Sequence, residues 1–423
     1  MDAAARFLDR LARNRAGEAV GVTSVCSAHP RVLEAAIRRA AAQNSLVLVE
    51  ATCNQVNQDG GYTGLTPAAF RDRLLAQAET LGLPHDLLLL GGDHLGPNPW
   101  RKLPAAEAMQ RAKTLVAAFA AAGYRKLHLD ASMACADEAE PLPPKVIAER
   151  AADLCAVAEA AAAGAGLPPP VYVIGTEVPT PGGAREAMDH LAVTRAEDLE
   201  RTLMLHRSAF AARGLEAALA RAAGVVVQPG VEFGQDDVHD YQPEAAGALI
   251  SALAAHDGVV FEAHSTDYQR EPALRALVAG HFAILKVGPE LTFALREAVF
   301  ALDAIAADLD PARGPGVRAA LEAAMARDPS WWRGYYPEAD RIAREFSLSD
   351  RLRYYWPVPA VESAMQRLLA DLATQPIPPT LVSQYLPTHY AAWRDGQIEL
   401  TPSSLILRSV VDVLERYGHA AGE

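Results

Sequence analysis

The chain has 423 residues and a formal net charge of −13, because 52 Asp and Glu residues outnumber 39 Lys and Arg residues. This acidic balance argues against nucleic acid or an anionic membrane surface as a partner and favours a small-molecule substrate. No uncharged apolar run approaches the roughly 20 residues that span a bilayer, and the first residues lack an apolar signal core. The four cysteines show no CxxC spacing. We therefore expect a cytoplasmic protein with reduced thiols and no membrane segment.

Short β-branched or leucine-rich runs recur along the first three hundred residues, and each ends in Gly, Pro or a polar residue. Continuous apolar runs are typical of parallel strands that are covered on both faces. Between them lie Ala-, Leu- and Arg-rich helical stretches such as 105–122 and 148–163. The eight predicted strands are 20–25, 46–50, 87–91, 126–130, 171–176, 225–228, 259–263 and 284–287. Eight such units predict an α/β fold, a TIM (β/α)8 barrel over residues 1–300 that carries the functional site.

Residues 301–423 differ in character, since they are helical in pattern and rich in aromatic residues. Their aromatic runs are Trp331-Trp332, Tyr335-Tyr336 and Tyr354-Tyr355-Trp356. Clusters of this kind serve packing or a subunit interface more often than cofactor binding. We therefore predict a C-terminal helical extension packed on the barrel, in a protein that forms an oligomer.

Polar residues follow nearly every predicted strand. In a TIM barrel, the residues at the carboxyl ends of the strands face the active site, so these side chains should converge on one rim. They are, in chain order, His29, Glu50, Asn54, Gln55, Asp93, His94, Asp130, Ser132, Glu177, Gln228, Glu232, His264, Asp267 and Lys286.

Carboxylates and imidazoles gathered at one end of a barrel cannot all be buried without partners, and a divalent cation would balance them. His94, Glu177 and His264, with Glu232 or Gln228 near them, offer donors that suit a catalytic zinc or manganese ion. Their spacing is too scattered to form a motif, and a single strand-end histidine is more often a hydrogen-bonded core residue. The convergence of several such residues nevertheless predicts a metal site, with Zn²⁺ as the expected ion and Mn²⁺ or Ni²⁺ as alternatives.

The other rim residues have catalytic and structural interpretations side by side. Asp93, next to His94, is expected to handle a substrate proton, although it could cap a loop. Lys286 could be a Schiff-base nucleophile, but beside a metal an electrostatic role is favoured. Asp130 and Ser132 are equally suited to orienting substrate hydroxyl groups and to capping the following helix.

The remaining rim positions are predicted to contact the substrate. His29 precedes a proline and could equally be a turn residue. The full set of predicted substrate contacts is His29, Glu50, Asn54, Gln55, Ser132, Gln228 and Asp267, while Glu177 is a candidate for both catalysis and metal binding. The sequence contains neither a GxxxxGK[ST] phosphate loop nor a GxSxG elbow, which disfavours nucleotide-driven phosphoryl transfer and serine hydrolysis.

From about residue 12 to about residue 417, the sequence strongly resembles the GatZ/KbaZ-type subunit of class II D-tagatose-1,6-bisphosphate aldolase. The resemblance is carried by long stretches, among them EATCNQVNQDGGYTG from Glu50, GGDHLGP from Gly91, IGTEVPTPGG from Ile174 and FEAHSTDYQ from Phe261. It implies a TIM barrel, a ketohexose or its phosphate as substrate in galactitol or tagatose catabolism, and a possible separate class II aldolase catalytic subunit as partner. Members of this family are often described as non-catalytic partners.

A more distant likeness to the catalytic class II aldolases implies that Asp93-His94 supplies a proton-handling acid and a metal ligand, with His264 as a second ligand. The likeness fails at two places. Gln228 to Glu232 stand where those aldolases have a histidine ligand, and Ser265-Thr266-Asp267 replaces their glycine-rich phosphate loop. Such a loop exposes backbone N–H groups to a phosphate, so its loss favours an unphosphorylated sugar.

Members of the wider family also resemble metal-dependent ketohexose 4-epimerases, which implies a shared chemistry. A base, by hypothesis Asp93, removes the C4 hydroxyl proton and the C3–C4 bond breaks. If the aldehyde fragment leaves, the reaction is an aldol cleavage; if it turns and is added again, C4 is epimerised. The resemblance favours metal-dependent retro-aldol chemistry, with D-tagatose/D-fructose 4-epimerisation and a non-catalytic subunit role as the alternatives.

Overall fold

The computed structural model describes residues 1–176, 191–337 and 339–423. Eight parallel strands close into a barrel, in the order β1-β10-β9-β6-β5-β4-β3-β2. These strands are β1 Val22–Val25, β2 Val47–Thr52, β3 Leu88–Leu95, β4 Lys126–Leu129, β5 Val171–Ile174, β6 Ala222–Val227, β9 Val260–Ala263 and β10 Phe282–Val287. A small antiparallel ribbon, β7 Glu232–Phe233 with β8 Val238–His239, follows β6. The predicted TIM barrel is confirmed.

Each predicted strand is present, but two boundaries differ in an informative way. Strand β3 continues through Asp93 and His94, so these two residues lie in the strand and not in the loop after it. Strand β6 begins three residues earlier than predicted, at Ala222, where the residues are small and not β-branched. A Cβ atom at Gly224 would lie 3.1 Å from the Val173 side chain on the neighbouring strand, so a larger residue there would require that side chain to shift.

The helices surround the barrel and continue beyond it. Several begin with proline at the first helical turn, where the missing N–H has no intrahelical partner to lose. They are α1 Ala3–Arg15, α2 Pro30–Gln43, α3 Pro67–Thr80, α4 Ala105–Ala121, α5 Pro144–Gly164, α6 Ala196–Ala211, α7 Glu216–Leu219, α8 Gly247–Leu253, α9 Glu271–Ala279, α10 Pro289–Leu309, α11 Val317–Arg327, α12 Arg341–Phe346, α13 Pro359–Ala373, α14 Pro379–Tyr385, α15 Pro387–Arg394 and α16 Pro402–Ala421. No helix in these described parts of the chain is long and apolar enough to cross a membrane.

The last helix returns to the barrel wall. Helix α16 packs against α9, α2 and β1, which is the position of the eighth helix in a (β/α)8 barrel. The Tyr417 hydroxyl donates a hydrogen bond to the Thr266 carbonyl at 2.6 Å, and the Gly21 N–H donates one to the Ala421 carbonyl at 2.9 Å. Because α16 completes the barrel wall, the division of the chain at residue 300 stays a proposal.

The barrel interior changes from apolar to charged along its axis. Helix α1 covers the amino-terminal end, where Phe7 and Leu11 pack with inward-facing strand residues such as Val22, Leu48 and Leu89. Side chains alternate between the two faces of a strand, so the next inward positions lie nearer the carboxyl end. Those positions are occupied by Ser24, Glu50, Lys126, Glu262 and Lys286, which are all buried. The charged end of the interior is therefore the end at which a TIM barrel carries its site.

Candidate active site

A fully buried ion cluster forms the floor of the site. The Lys126 ammonium group lies 2.6 Å from Glu50 Oε1 and 2.7 Å from Glu262 Oε2, and none of these side chains is exposed. Ser24 donates a further hydrogen bond to Glu50 at 2.6 Å. Gly91 leaves the space for this carboxylate, since a Cβ atom there would lie 2.7 Å from Glu50 Cγ. The structure thus places Glu50, a predicted substrate contact, in the supporting layer beneath the pocket.

Lys286 lies next to the floor cluster and reaches the catalytic candidate Asp93. Its ammonium nitrogen is 2.8 Å from Asp93 Oδ2 and 3.6 Å from Glu50 Oε2. Burial alone would lower the pKa of Lys286, but the surrounding carboxylates, Asp93 foremost, raise it well above its ordinary value. A Schiff-base lysine must lose its proton to attack a carbonyl group, so this environment supports the electrostatic role.

Three histidines form a triangle above the floor. The ring centroids of His94, His128 and His264 are 5.1, 4.9 and 5.1 Å apart, and all three residues are buried. One nitrogen of each ring lies 2.9 Å from a buried carboxylate: His94 Nδ1 from Asp130, His128 Nδ1 from Asp93, and His264 Nε2 from Glu262. A carboxylate in this position fixes the ring and leaves its other nitrogen for a metal ion.

The donors at this triangle fit a divalent cation. Asp93, His128, Glu262 and His264 each offer a ligand atom, and the four atoms lie within 4.8 Å of one another. The His128 Nε2 atom is buried and has no hydrogen-bond partner within the described part of the chain. Burial lowers the pKa of His264 to about 3, so its imidazole is neutral and able to ligate at physiological pH. Imidazole and carboxylate donors together suit zinc and its first-row neighbours.

The structure brings together only part of the predicted metal set. His264 belongs to the four-residue group, and His94 lies against it through its ring contacts. Glu232 lies outside that group, and Glu177 lies outside the described residues. His128 was not assigned a role from the sequence. The signal that could have identified it is the alternation Lys126-x-His128-x-Asp130, which places Lys126 and His128 on one face of β4, with Asp130 next in the same alternation just after the strand.

The Asp93 carboxylate accepts hydrogen bonds and forms an ion pair with the groups around it. Its Oδ1 atom accepts hydrogen bonds from the His94 N–H and from His128 Nδ1, both at 2.9 Å. Burial would raise the pKa of Asp93, but His94, Lys286 and His128 together hold it well below its ordinary value. The backbone at His94 is left-handed, with φ of 48°, an unusual conformation for a residue other than glycine and one that concentrates at functional sites.

Asp130 and Ser132 form a positioning pair. Ser132 donates to Asp130 Oδ1 through its hydroxyl group at 2.6 Å and its N–H at 3.0 Å, which leaves Oδ2 for His94. Burial favours the protonated form of Asp130, but the hydrogen bond and charge of His94 prevail and lower its pKa below the ordinary value. Asp130 therefore acts on the site through His94.

The residues predicted after strand six shape the rim. Gln228 Oε1 accepts hydrogen bonds from the N–H groups of Gly230 and Val231 at 2.8 and 3.0 Å, so this side chain folds back on its own loop. Glu232 accepts one from the Phe233 N–H at 3.0 Å and another from the Ser265 side chain. Burial raises the pKa of Glu232 to about 7, which is the range in which a carboxyl group can exchange protons near neutral pH.

Asp267 and His29 both cap helices. Asp267 Oδ1 accepts hydrogen bonds from the N–H groups of Gly288 and Glu290, at 2.9 and 2.8 Å, where α10 begins. Burial, with a contribution from Glu290, raises the pKa of Asp267 to about 7. His29 precedes α2 and accepts a hydrogen bond from the Arg31 N–H through Nδ1, as the turn interpretation predicts.

A pocket of about 80 Å³, which we call the catalytic pocket, opens over these groups. Asn54 and Gln55, two predicted substrate contacts, line it together with Asp93, His94, His264, Asp267 and Lys286. Arg353 and Tyr354 of the C-terminal region also line it. The Tyr354 ring stacks on Trp331 at 4.6 Å, and Arg353 donates to the Tyr354 hydroxyl at 3.0 Å. The sequence pattern predicts packing or a subunit interface for these aromatics and gives no role to Arg353.

Comparison with known proteins gives a family and a structural relative of high identity. The model of the family described as D-tagatose-1,6-bisphosphate aldolase subunit GatZ/KbaZ-like matches residues 7–422. The chain is 49% identical to a probable tagatose 6 phosphate kinase from Sinorhizobium meliloti 1021, with a TM-score of 0.87 over 95% of this chain and 100% of that one. The fructuronate-tagaturonate epimerase UxaE from Cohnella laeviribosi is 12% identical, with a TM-score of 0.48 over 96% of this chain and 82% of that one. The last likeness is too weak to bear on function.

Proposed function

Because the chain belongs to the GatZ/KbaZ-like family of D-tagatose-1,6-bisphosphate aldolase subunits, we propose that it acts on a ketohexose or its phosphate by metal-dependent retro-aldol chemistry at C3–C4. The observation that carries the proposal is the histidine triangle, in which His94, His128 and His264 are each held by a buried carboxylate. Buried ionised groups cost several kcal/mol each unless they are well paired. A purely structural subunit gains nothing evident from keeping them here.

His128 and His264, together with His94, are the residues that would hold the cation, for which we propose Zn²⁺, with Mn²⁺ or Ni²⁺ as alternatives. A bound divalent cation would act as a Lewis acid that polarises a carbonyl group and stabilises an enediolate charge. Asp130 fixes the His94 ring in the orientation that ligation requires.

Asp93 is the proposed base. The C4 hydroxyl proton passes to its carboxylate, the C3–C4 bond breaks, and that bond's electron pair moves onto C3 and the C2 carbonyl oxygen, leaving an aldehyde fragment and an enediolate. Lys286, at 2.8 Å, compensates the negative charge of Asp93 before the transfer. Since Asp93 has a pKa well below its ordinary value, the proton it takes up is readily returned when a new C3–C4 bond forms.

A 4-epimerase acting on free D-tagatose and D-fructose is the second candidate, and Asp267 favours it. TIM barrels commonly bind phosphate at the loops after strands seven and eight and at the amino end of the helix beside them. In this protein the Asp267 carboxylate already accepts hydrogen bonds from the N–H groups of Gly288 and Glu290, at the amino end of α10. A substrate without a phosphate at this position fits such an arrangement. The sequence contains no GxxxxGK[ST] loop, so kinase chemistry is not proposed for this chain.

Product analysis with added metals tests both candidates. Purified protein is incubated with zinc, manganese or nickel and with D-tagatose, D-fructose or tagatose 1,6-bisphosphate, and the products are separated by chromatography. Triose phosphates support the aldolase, and interconversion of the free ketohexoses supports the epimerase. If the protein binds no metal and forms no product under any condition, both catalytic proposals are wrong. The protein is then a partner subunit, and we expect it to stabilise a separate class II aldolase subunit on mixing.

A further inference from the structure

A second and larger cavity, of about 450 Å³, adjoins the catalytic pocket. The two share Cys26, Gln55, Tyr62, Gly288 and Arg353 in their linings, so these residues separate two neighbouring spaces. The catalytic pocket alone, at about 80 Å³, is well below the roughly 300–1,000 Å³ of ordinary ligand sites. A sugar that reaches Lys286 must therefore extend into a neighbouring space.

This cavity is positively charged in an otherwise acidic protein. Its lining contains Arg31, Arg73 and Arg353, and Glu362 is the one carboxylate among its described lining residues. Within the described part of the chain, the Arg31 and Arg73 side chains form no hydrogen bond or ion pair. Arg353 donates to the Ser349 carbonyl, to the Asp350 carbonyl at 3.0 Å and to the Tyr354 hydroxyl, and none of these acceptors is a carboxylate. Guanidinium groups without a counter-ion are suited to an anionic ligand.

The start of helix α2 adds to the positive field. His29, Pro30 and Arg31, at its amino end, all line the cavity. The partial positive charge of a helix amino terminus favours an anion within the first turn. The Trp356 indole also lines the cavity. Charge and helix direction therefore point to the same class of ligand.

We propose that this cavity, which we call the arginine cavity, binds an anionic terminal group of the substrate, a phosphate ester or a carboxylate, through Arg31, Arg73 and Arg353. The proposal deepens the proposed function and rests on it for the identity of the sugar. It also explains how a substrate with an anionic end could be accepted although Asp267 occupies the N–H groups at the start of α10. The sugar carbons would lie over the histidine triangle, with the charged end beside α2.

Binding of inorganic phosphate, measured by titration calorimetry, tests the arginine cavity without any turnover. We expect Arg31→Gln combined with Arg73→Gln to weaken phosphate binding at least about tenfold, as expected when charge-assisted hydrogen bonds are lost. Arg38→Gln is the matched control, because Arg38 lies on the same helix but pairs on the surface with Glu34 at 2.9 Å. Unchanged phosphate affinity in the double variant would overturn the proposal. If the double variant does not fold, the exposed Arg73→Gln alone provides the comparison.

Kinetics then identify the anion. For each protein, kcat/KM is measured for tagatose 6-phosphate, for tagaturonate and for free D-tagatose, and the phosphate-to-free and carboxylate-to-free ratios are compared. A tenfold fall of the first ratio in the double variant identifies a phosphate ester, and a fall of the second identifies a carboxylate. If both ratios stay constant in the double variant but fall in Arg101→Gln, the proposal is wrong. The anion then binds in a different cavity of about 490 Å³, which is lined by Arg101 and Tyr62. No turnover of any sugar, together with lost phosphate binding, would contradict the proposed function and support the cavity.

Discussion

The ammonium nitrogen of Lys286 lies 2.8 Å from Oδ2 of Asp93, and this ion pair is buried at the base of the catalytic pocket. The other oxygen of the same carboxylate accepts a hydrogen bond from His128 at 2.9 Å. One side chain therefore connects the ion pairs at the floor of the barrel with the histidine triangle above it. This dual contact makes Asp93 the residue at which proton transfer and metal binding can be separated by experiment.

Asp93→Asn is expected to retain metal and to lower kcat at least about 100-fold, because an amide keeps the shape of the carboxylate but cannot accept the C4 hydroxyl proton. Metal content after dialysis and kcat are measured on the same preparation. Asp236→Asn, an exposed residue in the turn between β7 and β8, is the control. Full activity in Asp93→Asn would show that the base is another group, and loss of metal would show that Asp93 is a ligand.

His128→Ala and His264→Ala are each expected to lose most of the bound metal, since each removes an imidazole that we propose as a ligand of the cation. Metal is measured by mass spectrometry after dialysis against a weak chelator, and circular dichroism confirms that the barrel is folded. His85→Ala changes an exposed histidine in the segment between α3 and β3 and should not alter metal content. Stoichiometric metal in His128→Ala would contradict the site described above.

Asp130→Asn should have a smaller effect than the loss of a ligand. Its contact with His94 Nδ1, at 2.9 Å, orients the ring and strengthens it as a donor. Loss of such an outer partner typically lowers metal affinity about 10- to 100-fold. Competition with a chromophoric chelator measures the change, and Ser132→Ala, which keeps the carboxylate, should lower the affinity less. Equal affinities for Asp130→Asn and the unaltered protein would exclude the positioning role.

The sequence was sufficient for the barrel and for part of the site, for definable reasons. Strands carry their pattern locally, and the residues after the predicted strands, such as His94 and His264, can be placed on one rim by topology alone. The pairing of Lys126 with Glu50 and Glu262 could not be predicted, because these side chains meet across the barrel from strands that are distant in the chain. The same patterns placed Glu50 at the rim and gave no reason to expect it in a buried layer beneath the pocket.

The C-terminal contribution to the site was also beyond sequence patterns. Arg353 and Tyr354 lie more than sixty residues after the last barrel strand, and only tertiary packing brings them over the barrel mouth. Stacking of Tyr354 on Trp331 fixes them there at 4.6 Å. A run of aromatics predicts burial but does not say which ring faces a ligand. The same packing places α16 in the barrel wall, which no local signal indicated.

Lys126→Met is expected to lower the free energy of unfolding by about 3–5 kcal/mol, because it leaves Glu50 and Glu262 buried without their shared counter-ion. Urea denaturation measures the loss. Adding Glu50→Gln to Lys126→Met should recover part of it, since one uncompensated charge is then removed. Lys113→Met, whose partly exposed ammonium group lies 3.8 Å from Asp153, should change stability by less than about 1 kcal/mol. A Lys126→Met protein as stable as the Lys113→Met control would show that the floor cluster is not ionised.

Glu232 gives the stability of the metal-free protein a distinct pH dependence. Burial raises its pKa in the folded state from the ordinary 4.5 to about 7, so the folded form holds a proton that the unfolded form releases. This contribution is fully present below about pH 4.5 and is lost as the pH rises through about 7. Between pH 5 and 8, the free energy of unfolding of the unaltered protein should fall by at most about 3 kcal/mol relative to that of Glu232→Gln. This limit follows because one pKa unit corresponds to about 1.4 kcal/mol.

Melting curves in the presence of a chelator, recorded at several pH values, measure this difference, and Glu244→Gln, an exposed carboxylate, should follow the unaltered protein. Repeating the series with zinc decides the role of Glu232. A carboxylate that binds the metal must be ionised, so ligation by Glu232 would remove the loss of stability between pH 5 and 8. If Glu232 exchanges protons outside the metal's coordination sphere, the loss of stability would remain. Parallel profiles for the unaltered protein and Glu232→Gln without metal would mean that Glu232 is ionised throughout, and that its burial is balanced by a partner stronger than the Phe233 N–H and Ser265.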